Sequence, residues 1–547
     1  MKTLRLLLAL CLASMVAAHA WESPQAGPLT DFNNDKVSEL VIGIPGEDIT
    51  FGGAPVNQAG AFHVVYGQVF KGLTGTGDQW IHQATSGVAG DPETFDHFGA
   101  RLAVGDFDHD HNWDLAVGIP YQDIDGIAGA GAVQIFYGNG SAVAVDRDVI
   151  FSQNSAGVEG GAEENDNFGD ALAVGDFNND NFDDLAIGVP MEDIGDLYNA
   201  GAAHVLFGSA AGLTGTSSLI FYQGHNNLDD AAETDDEFGS ELAAGDFDGD
   251  GWDDLAVGVP HESLLTPGDP LFVFSAGAVN VIYGHWMAGS IAGDDFLAEN
   301  PGTFGLCDVA YNSEFLGGAL ATGYFDDDPF EDLAIGVYQV EDDFHYGAIH
   351  VVFGSLDGLN PSGDQCWDGE NMGIVVAIDN YFGGRLAACD YNGDTHDDLA
   401  ISMTYDSDGL RGIENHGSVI VVYGGDNGII PITARQFMQG MDGLAETRED
   451  FDRFGLVLQG GNFNGDPYCD LAIGVPFEDL GAPVVEDAGV VQVLFGSAQG
   501  ITTNGNQLWY QGYNGLWGAN SDNDEFGSAL AALPFYNRWT YLPVIHK

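Results

Sequence analysis

A short acidic segment followed by an apolar strand recurs along the whole chain, and it limits the possible folds more than any other feature. In the clearest copy, Asp246, Asp248, Asp250 and Asp254 lie at alternate or near-alternate positions, and LAVGVP follows directly. Oxygen atoms at positions one, three, five, seven (through the main chain) and nine of a tight turn suit Ca²⁺, which accepts six to eight oxygen ligands. The apolar residues that follow are typical of a buried strand that ends at proline.

Seven copies of this segment align, and they are numbered here as acidic loops one to seven. Loops two and four have four aspartates each, whereas loop five has Tyr324 at position one. Solvated Asp and Asn turns without metal are the alternative interpretation, but seven copies in register favour metal loops. The predicted ligands for up to seven Ca²⁺ ions are Asp31, Asn33, Asp35 and Glu39; Asp106, Asp108, Asp110 and Asp114; Asp176, Asn178, Asp180 and Asp184; Asp246, Asp248, Asp250 and Asp254; Asp326, Asp328 and Asp332; Asp390, Asn392, Asp394 and Asp398; and Asn462, Asn464, Asp466 and Asp470.

The first 20 residues have the pattern of a secretory signal peptide. Lys2 and Arg5 precede an apolar run, and Ala18-His19-Ala20 fits the small-residue cleavage rule. We therefore expect residues 21–547 to form a mature chain that is secreted, extracellular or associated with the cell surface. No later apolar run approaches the ~18 residues that a membrane-spanning helix needs, so membrane insertion is not expected.

The chain is strongly acidic, with 84 Asp and Glu residues, 13 Lys and Arg residues and a formal net charge of -71. Most of the acidic residues lie outside the predicted ligands, so bound metal would neutralise only part of this charge. Such a surface repels nucleic acid and other polyanions, and nucleic acid is therefore not an expected partner. Adaptation to a saline habitat and simple solubility are alternative reasons for the remaining acidity.

Four cysteines follow the signal peptide. Cys307 and Cys366 flank one repeat and could form a disulfide, which an exported protein can keep. Cys389 and Cys469 lie beside predicted ligands in two different loops, and they are interpreted as ordinary buried thiols.

A second marker, Phe-Gly, precedes each acidic loop from the second onward at spacings of about 70 residues, with Phe315-Leu316-Gly317 as an altered copy. A period this long suits a propeller blade of four strands. Within residues 98–153 the sequence predicts strand A at ARLAVGD, strand B at DLAVGIP, strand C at residues 131–138 and strand D at residues 148–153. These strands are rich in β-branched and aromatic residues, and no helical period is apparent.

The number of strands predicts how the ring closes. The first acidic loop has no Phe-Gly strand before it, whereas the C-terminal part supplies an additional one after Phe526-Gly527. The fold class is therefore all-β, a seven-bladed β-propeller with four-stranded antiparallel blades that occupies residues 21–547 as a single domain. Residues 527–533 are expected to close the first blade (31–90) by pairing with Leu40 to Ile44, which leaves no free sheet edge.

Phe-Gly, DxDxDxxxD and Gly-x-Pro, recurring in this order, resemble the FG-GAP repeats of integrin α-subunit propellers and their bacterial secreted counterparts. The resemblance covers about residues 27–533. It implies calcium in the loops between strands A and B on one face, and a protein or glycan ligand on the opposite face. Family loops often have glycine at position six, but Pro329 and Pro467 occupy it here. Proline cannot adopt a positive φ, so loops five and seven are expected to turn differently or to bind calcium weakly.

The leading functional hypothesis is a secreted, monomeric, calcium-binding module for adhesion or recognition of protein partners, without catalysis. A carbohydrate-binding lectin is one alternative, and a calcium-dependent polysaccharide lyase or phospholipase is another. A lyase that acts on uronate chains needs basic residues to hold its substrate, and these are few and scattered here. Neither a Gly-x-Ser-x-Gly nor a His-Glu-x-x-His motif is present, so no catalytic residue is predicted.

Overall fold

Strands account for nearly all regular secondary structure in the structure of this chain, which is a computed structural model. Among the described residues the single helical element is the 3-10 turn His225–Asn227, and no helix is long and apolar enough to span a membrane. Seven four-stranded antiparallel sheets form the blades of a β-propeller, which confirms the predicted fold class. The structure describes residues 30–533 except 266–271, 285–292, 300–305, 307–309, 339–346, 375–379, 408–411 and 482.

Each blade has the strand order A-B-C-D, with neighbouring strands hydrogen-bonded. From blade one to blade seven, the A strands are Ala529–Ala531, Arg101–Gly105, Ala171–Gly175, Leu242–Gly245, Leu320–Gly323, Phe382–Cys389 and Val457–Gly461. The B strands are Leu40–Ile44, Asp114–Ile119, Asp184–Val189, Asp254–Val259, Asp332–Val337, Asp398–Met403 and Asp470–Val475. The C strands are Ala61–Gln68, Ala132–Gly138, Ala202–Phe207, Ala278–Ile282, Ala348–Phe353, Ser418–Tyr423 and Val490–Phe495. The D strands are Gly72–Ile81, Val143–Phe151, Thr214–Phe221, Asp294–Leu297, Asn360–Asp368, Ile430–Phe437 and Thr502–Trp509. Two further hairpins pair Ile49–Phe51 with Ala54–Val56, and Leu264–Leu265 with Phe272–Val273.

Blade one takes its A strand from the C-terminal part of the chain, as the sequence predicts. Ala529–Ala531 pairs antiparallel with Leu40–Ile44, and Leu530 lies opposite Ile42. The Gly527 N–H also donates to the Gly43 carbonyl oxygen at 3.0 Å. The ring is therefore closed by hydrogen bonds between residues near the two ends of the described chain.

The hydrophobic core lies between the blades. Every residue of the B strands is buried because blades pack against both of their faces, as in Asp114–Ile119. Strand D is the outer strand, and Val143–Phe151 accordingly includes exposed residues. Aromatic rings connect neighbouring blades: the ring of Phe62 in blade one lies 5.6 Å from the rings of Phe98 and Phe136, measured between centroids. Such contacts make each blade depend on its neighbours for burial of apolar surface.

The Phe-Gly and Gly-x-Pro markers meet between neighbouring blades, which explains why they recur together. Phe98 is fully buried, and its N–H donates to the carbonyl oxygen of Ala59, just before strand C of blade one. Gly99 has a φ of 90°, which favours glycine. Its carbonyl oxygen packs against Gly43 of blade one, where a Cβ atom would lie 2.2 Å from it. Both glycines therefore allow a close approach of the two backbones.

Neighbouring acidic loops are connected through positions one and eight. The Asp253 carboxylate, at position eight of loop four, accepts the N–H of Asp176, at position one of loop three, at 2.7 Å. In return, the Asp253 N–H donates to the Asp176 carbonyl oxygen at 3.3 Å. Equivalent pairs of contacts connect loops two with three, four with five, and five with six, through Asp183, Glu331 and Asp397.

A disulfide connects loops six and seven, where position eight is a cysteine. Cys469 is bonded to Cys389, the residue before position one of loop six, with their Cα atoms 6.0 Å apart. The interpretation of these two residues as ordinary thiols was therefore wrong. The ring brings together two positions that lie in different repeats, and the sequence spacing alone did not indicate this. Cys307 lies outside the described residues, so its pairing with Cys366 stays a prediction.

Candidate metal loops and the opposite face

The seven acidic loops all connect strand A to strand B, so they lie on one face of the ring, named here the acidic face. All predicted ligands fall within these loops, and the structure brings the members of a loop together. In loop one, carboxylate oxygens of Asp31, Asp35 and Glu39 lie within 4.8 Å of one another. In loop two, carboxylate oxygens of Asp106, Asp108 and Asp114 also lie within 4.8 Å of one another.

The carboxylate at position nine is buried, and the backbone fixes both of its oxygens. Asp254 is 1% exposed. Its Oδ2 accepts the N–H of Phe247 at 3.0 Å, and its Oδ1 accepts the N–H of Gly284, after strand C, at 2.7 Å. The position-nine aspartates of loops two, five, six and seven accept the same pair of hydrogen bonds. This residue therefore holds its loop and the turn between strands C and D together.

The carboxylates at positions one, three and five are oriented by backbone N–H groups of their own loop. In loop four, Asp246 Oδ2 accepts the N–H of Gly251, Asp248 Oδ1 that of Asp250, and Asp250 Oδ1 that of Trp252, each at 3.0 Å. Asp turns of this kind need no metal by themselves. They nevertheless direct several side chains toward one point, as a cation site requires.

Burial raises the pKa of the position-nine carboxyl groups. Removal from water raises the pKa of Asp114 and Asp254 to about 8 and that of Asp184 to about 9, and neighbouring carboxylates of the same loop act in the same direction. A bound cation would offset this repulsion. Carboxylate, amide and main-chain oxygens form the donor set that Ca²⁺ prefers, so the residues present fit that ion.

The residue at position three divides the loops into two groups. Where it is asparagine, its amide N–H donates to the position-nine carboxylate, at 3.1 Å from Asn33 to Glu39 and at 3.3 Å from Asn464 to Asp470. Loops three and six have the same contact. In loops two, four and five, position three is an aspartate, and two acidic groups face each other instead. Loops two and four also have an aspartate at position one, so these two loops have the greatest need for a cation.

The backbone φ angle at position six of each loop depends on the residue type. Lys36, His111, Asn181, Gly251 and Thr395 all have a positive φ there. Pro329 and Pro467 are absent from the residues with positive φ, so loops five and seven do turn differently, as their prolines predict. In loop five, the N–H of Tyr324 donates to the carboxylate of Asp397 at 2.8 Å, so the contact between loops persists without an acidic residue at position one.

Sequence reasoning missed a set of buried polar contacts on the opposite face of the ring, where strand D of one blade meets the next blade. The amide N–H of a glutamine at the end of strand D donates to a side-chain oxygen that follows strand B of the next blade. Its partner is glutamate at four junctions and glutamine at one. The pairs are Gln83–Gln122 at 2.7 Å, Gln153–Glu192 at 2.5 Å, Gln223–Glu262 at 2.8 Å, Gln439–Glu478 at 2.5 Å and Gln511–Glu47 at 2.5 Å.

Glu262 is the clearest of these buried glutamates, with 1% of its surface exposed. Burial raises its pKa to about 9, and the charges of Asp236, Asp230 and Glu233 act in the same direction, while the hydrogen bond from Gln223 opposes the rise. The folded chain therefore binds more protons at this site than the unfolded chain, whose glutamate titrates near pH 4.5. Stability consequently falls as pH rises from about 4.5 to about 9.

Glu262→Gln is expected to raise the melting temperature at pH 9 by about 2 °C or more and to flatten its dependence on pH above 5. A glutamine can accept the same hydrogen bond from Gln223, as Gln122 does from Gln83 at the first junction. Gln122→Glu is the matched control and should introduce the opposite effect. Thermal unfolding between pH 5 and 9 checks both variants, and parallel curves for Glu262→Gln and the wild-type protein would contradict the expectation.

Half-buried aromatic side chains, with one arginine among them, form a continuous row on this opposite face, from blade four to blade seven. The rings of Tyr381 and Tyr405 stack with centroids 4.1 Å apart. The Arg453 guanidinium carbon lies 4.7 Å from the ring centroid of Tyr405 and 4.9 Å from that of Phe477. This row, called here the aromatic arc, consists of His261, Phe315, Tyr338, Tyr381, Tyr405, Arg453 and Phe477.

Arg101, Glu241 and Arg385 lie in strand A, or directly before it, in blades two, four and six. The A strands of neighbouring blades contact one another, so these three residues lie around the central channel. Burial raises the pKa of Glu241, and the two guanidinium groups oppose that rise. Arg101 also forms an ion pair with Asp170 of blade three at 3.1 Å. Tyr338 of the aromatic arc packs against Gly318, just before strand A of blade five, so this part of the arc borders the mouth of the channel.

Comparisons with known proteins agree with the repeat structure. The FG-GAP repeat family matches residues 98–136, 168–206 and 238–279, each of which begins at Phe-Gly and ends in strand C. The chain is 35% identical to phosphatidylinositol-glycan-specific phospholipase D of Rattus norvegicus over 163 residues, which are 30% of this chain and 18% of that protein. It is 30% identical to integrin alpha-8 of Gallus gallus over 250 residues, which are 43% of this chain and 20% of that protein.

A third relative is integrin alpha-PS2 of Drosophila melanogaster, 27% identical over 256 residues, which are 45% of this chain and 16% of that protein. The chain thus spans about a fifth of the length of the curated relatives that it matches. The chain carries FG-GAP repeats, and integrin alpha subunits and phosphatidylinositol-glycan-specific phospholipase D are among its relatives.

Proposed function

We propose that this protein is a secreted, calcium-binding recognition module that binds a protein partner through the face opposite the acidic loops. The observation that carries this proposal is the concentration of accessible aromatic side chains on that face. Elsewhere on that face, around blades two and three, Phe95, Tyr121 and Tyr198 are 56%, 46% and 66% exposed. Exposed aromatic residues in such numbers mark interaction surfaces, because their burial in a complex stabilises it.

Calcium would have a structural role in this proposal. The position-nine carboxylates connect each loop to a neighbouring turn, so a cation bound among them would hold strands A and B in place. No catalytic residue is assigned. The phospholipase D relative matches over 18% of its own length, and its activity is therefore not transferred to this chain.

Secretion rests on the signal-peptide pattern of residues 1–20. Export also agrees with the Cys389–Cys469 disulfide, since such bonds persist mainly in oxidising compartments. A surplus of negative charge favours a partner with a basic surface. Recruitment of such a partner should therefore weaken as salt concentration rises.

The proposal is tested by cross-linking capture from the native cell surface with calcium-loaded protein and two variants. Tyr121→Ala combined with Tyr198→Ala alters the opposite face, while Phe70→Ala alters a 79% exposed aromatic on the acidic face and serves as the matched control. Wild-type protein and Phe70→Ala should capture the same protein, and the double variant should lose at least about 90% of it. Equal capture by all three would place the partner elsewhere.

Two parallel assays address the alternatives. Binding on a glycan array that the double variant loses would replace the protein partner with a glycan. Turnover of a polysaccharide or a phospholipid by the wild-type protein would contradict the non-catalytic role.

A further inference from the structure

The junction between blades five and six departs from the repeat on the acidic face. Elsewhere, position four of one loop contacts position seven of the next loop. The rings of His109 and Phe182 lie 5.6 Å apart at one junction, and a Cβ atom at Gly393 would lie 2.7 Å from the Tyr468 ring at another. Between loops five and six, the two positions hold an aspartate, Asp327, and a histidine, His396.

These two residues meet a third that also departs from the repeat. Asp426 lies in the turn between strands C and D of blade six, at the position that Ala210 and Ala498 occupy in blades three and seven. One ligand atom each of Asp327, His396 and Asp426 lies within 4.8 Å of the other two. The His396 Nε2 is 3.4 Å from Asp327 Oδ1.

His396 is held with one ring nitrogen directed at the two carboxylates. The side chain of Asp394 fixes the ring, since its Oδ1 lies 3.2 Å from His396 Nδ1. In the neutral tautomer whose Nδ1–H donates to Asp394, Nε2 has a lone pair available for a cation. The histidine is 8% exposed, and its Nε2 is buried without a hydrogen-bond partner. A carboxylate that orients a histidine from behind in this way is common at metal sites.

The backbone fixes the two carboxylates relative to each other. Asp326, which precedes Asp327, pairs with Asn427 in an antiparallel bridge. The N–H of Gly425 donates to the Phe325 carbonyl oxygen at 3.3 Å. The turn that carries Asp426 is therefore attached to loop five, although the two segments belong to different blades.

We propose that Asp327, His396 and Asp426 bind a divalent transition-metal ion, with Zn²⁺ as the best match. One imidazole and two carboxylates form a donor set that suits Zn²⁺, whereas Ca²⁺ and Mg²⁺ prefer oxygen ligands alone. A cavity of about 660 Å³, lined by His396 and Asp426 among others, adjoins the three residues. It leaves room for a water molecule or an exogenous ligand at the remaining coordination positions. This site adjoins the proposed calcium site of loop six, whose Asp394 orients His396, and it lies on the face opposite to the one proposed to bind a partner.

The repeat itself supplies substitutions that should preserve folding. His396→Phe introduces the residue found at position seven of loops three and five, and Asp426→Ala introduces the residue of blades three and seven. His111→Ala is the matched control, because this exposed histidine lies beside Asp106 in loop two, where another His and Asp group is found. Each protein is kept saturated with Ca²⁺ and titrated with Zn²⁺ against a chromophoric chelator.

Wild-type protein and His111→Ala should bind one equivalent of Zn²⁺ with the same affinity. His396→Phe and Asp426→Ala should lose about 100-fold or more in affinity, while their melting temperatures stay within about 2 °C of the wild type. Wild-type affinity in the folded His396→Phe variant would overturn the proposal, and so would loss of the site in His111→Ala. Co²⁺ provides an independent readout, because absorption bands typical of nitrogen ligation should appear in the wild type and disappear in His396→Phe.

Discussion

Deletion of residues 524–547 is expected to abolish cooperative folding of the propeller. The deletion removes the A strand of blade one, Ala529–Ala531, and exposes the edge of Leu40–Ile44 from Val41 to Gly43. It also removes Phe526, which is fully buried, and Leu530, which is 7% exposed. Loss of a buried Phe or Leu side chain costs about 2–5 kcal/mol each, and together these losses approach the whole net stability of a typical domain.

The expected result is aggregation, or loss of a single cooperative thermal transition, because an open edge pairs with other chains. A shorter deletion of residues 534–547 is the matched control, since it leaves the closing strand and Phe526 in place. Differential scanning calorimetry and size-exclusion chromatography compare the two deletion variants with the whole chain. A monomeric 524–547 deletion with an unchanged melting temperature would show that blade one does not need this strand.

The sequence predicted the inner strands well because they carry the repeated markers. Strand C was predicted at residues 131–138 and spans Ala132–Gly138, and strand B of the same blade was equally close. Strand D was predicted at residues 148–153 but spans Val143–Phe151. This outer strand packs on one side, so fewer of its residues are constrained and its apolar pattern is weak. Ring closure was predictable because the first repeat lacks a strand A, whereas the C-terminal part supplies an additional one. The additional strand can therefore complete the first blade.

Contacts between repeats were not predicted from the sequence. Cys389 and Cys469 lie 80 residues apart. Nothing in either repeat indicates that the residue before position one of loop six becomes a neighbour of the residue at position eight of loop seven. The Gln223–Glu262 contact was missed for the same reason, although glutamine at the end of strand D and glutamate after strand B both recur. A search for polar residues that recur together in consecutive repeats would have detected this signal. The proposed metal ligands, in contrast, lie within single nine-residue loops, so their proximity could be predicted.

Removal of calcium is expected to lower the melting temperature strongly if the acidic loops bind it as proposed. Calcium at 100 times its dissociation constant stabilises the folded chain by about 2.7 kcal/mol per site, since the unfolded chain cannot form the loops. Several occupied sites could contribute ~10 kcal/mol, which is comparable to the whole net stability of a domain. A chelator titration followed by thermal unfolding should therefore shift the transition by about 10 °C or more.

Single substitutions can distinguish loss of calcium from simple damage to a loop. Asp248 and Asp254 in loop four are both acidic and interact unfavourably without a cation. Asp248→Ala should therefore lower the free energy of unfolding by about 2 kcal/mol or more in the presence of calcium, but by much less in chelator. Asn464 in loop seven already donates to Asp470 and accepts the N–H of Asp466. Because loop seven is expected to bind calcium weakly, Asn464→Ala should lower the free energy of unfolding by a similar amount, about 1 kcal/mol, in both conditions.

The comparison between conditions is the decisive measurement. The Asp248→Ala penalty should shrink as chelator is added, whereas the Asn464→Ala penalty should not. Equal penalties for Asp248→Ala with and without calcium would mean that loop four is an acidic turn whose carboxylates are held by backbone N–H groups alone. Identical melting of the wild-type protein in calcium and in chelator would extend that conclusion to every loop. The propeller would then derive its stability from contacts between blades, and the position-nine carboxylates would act as buried hydrogen-bond acceptors rather than as metal ligands.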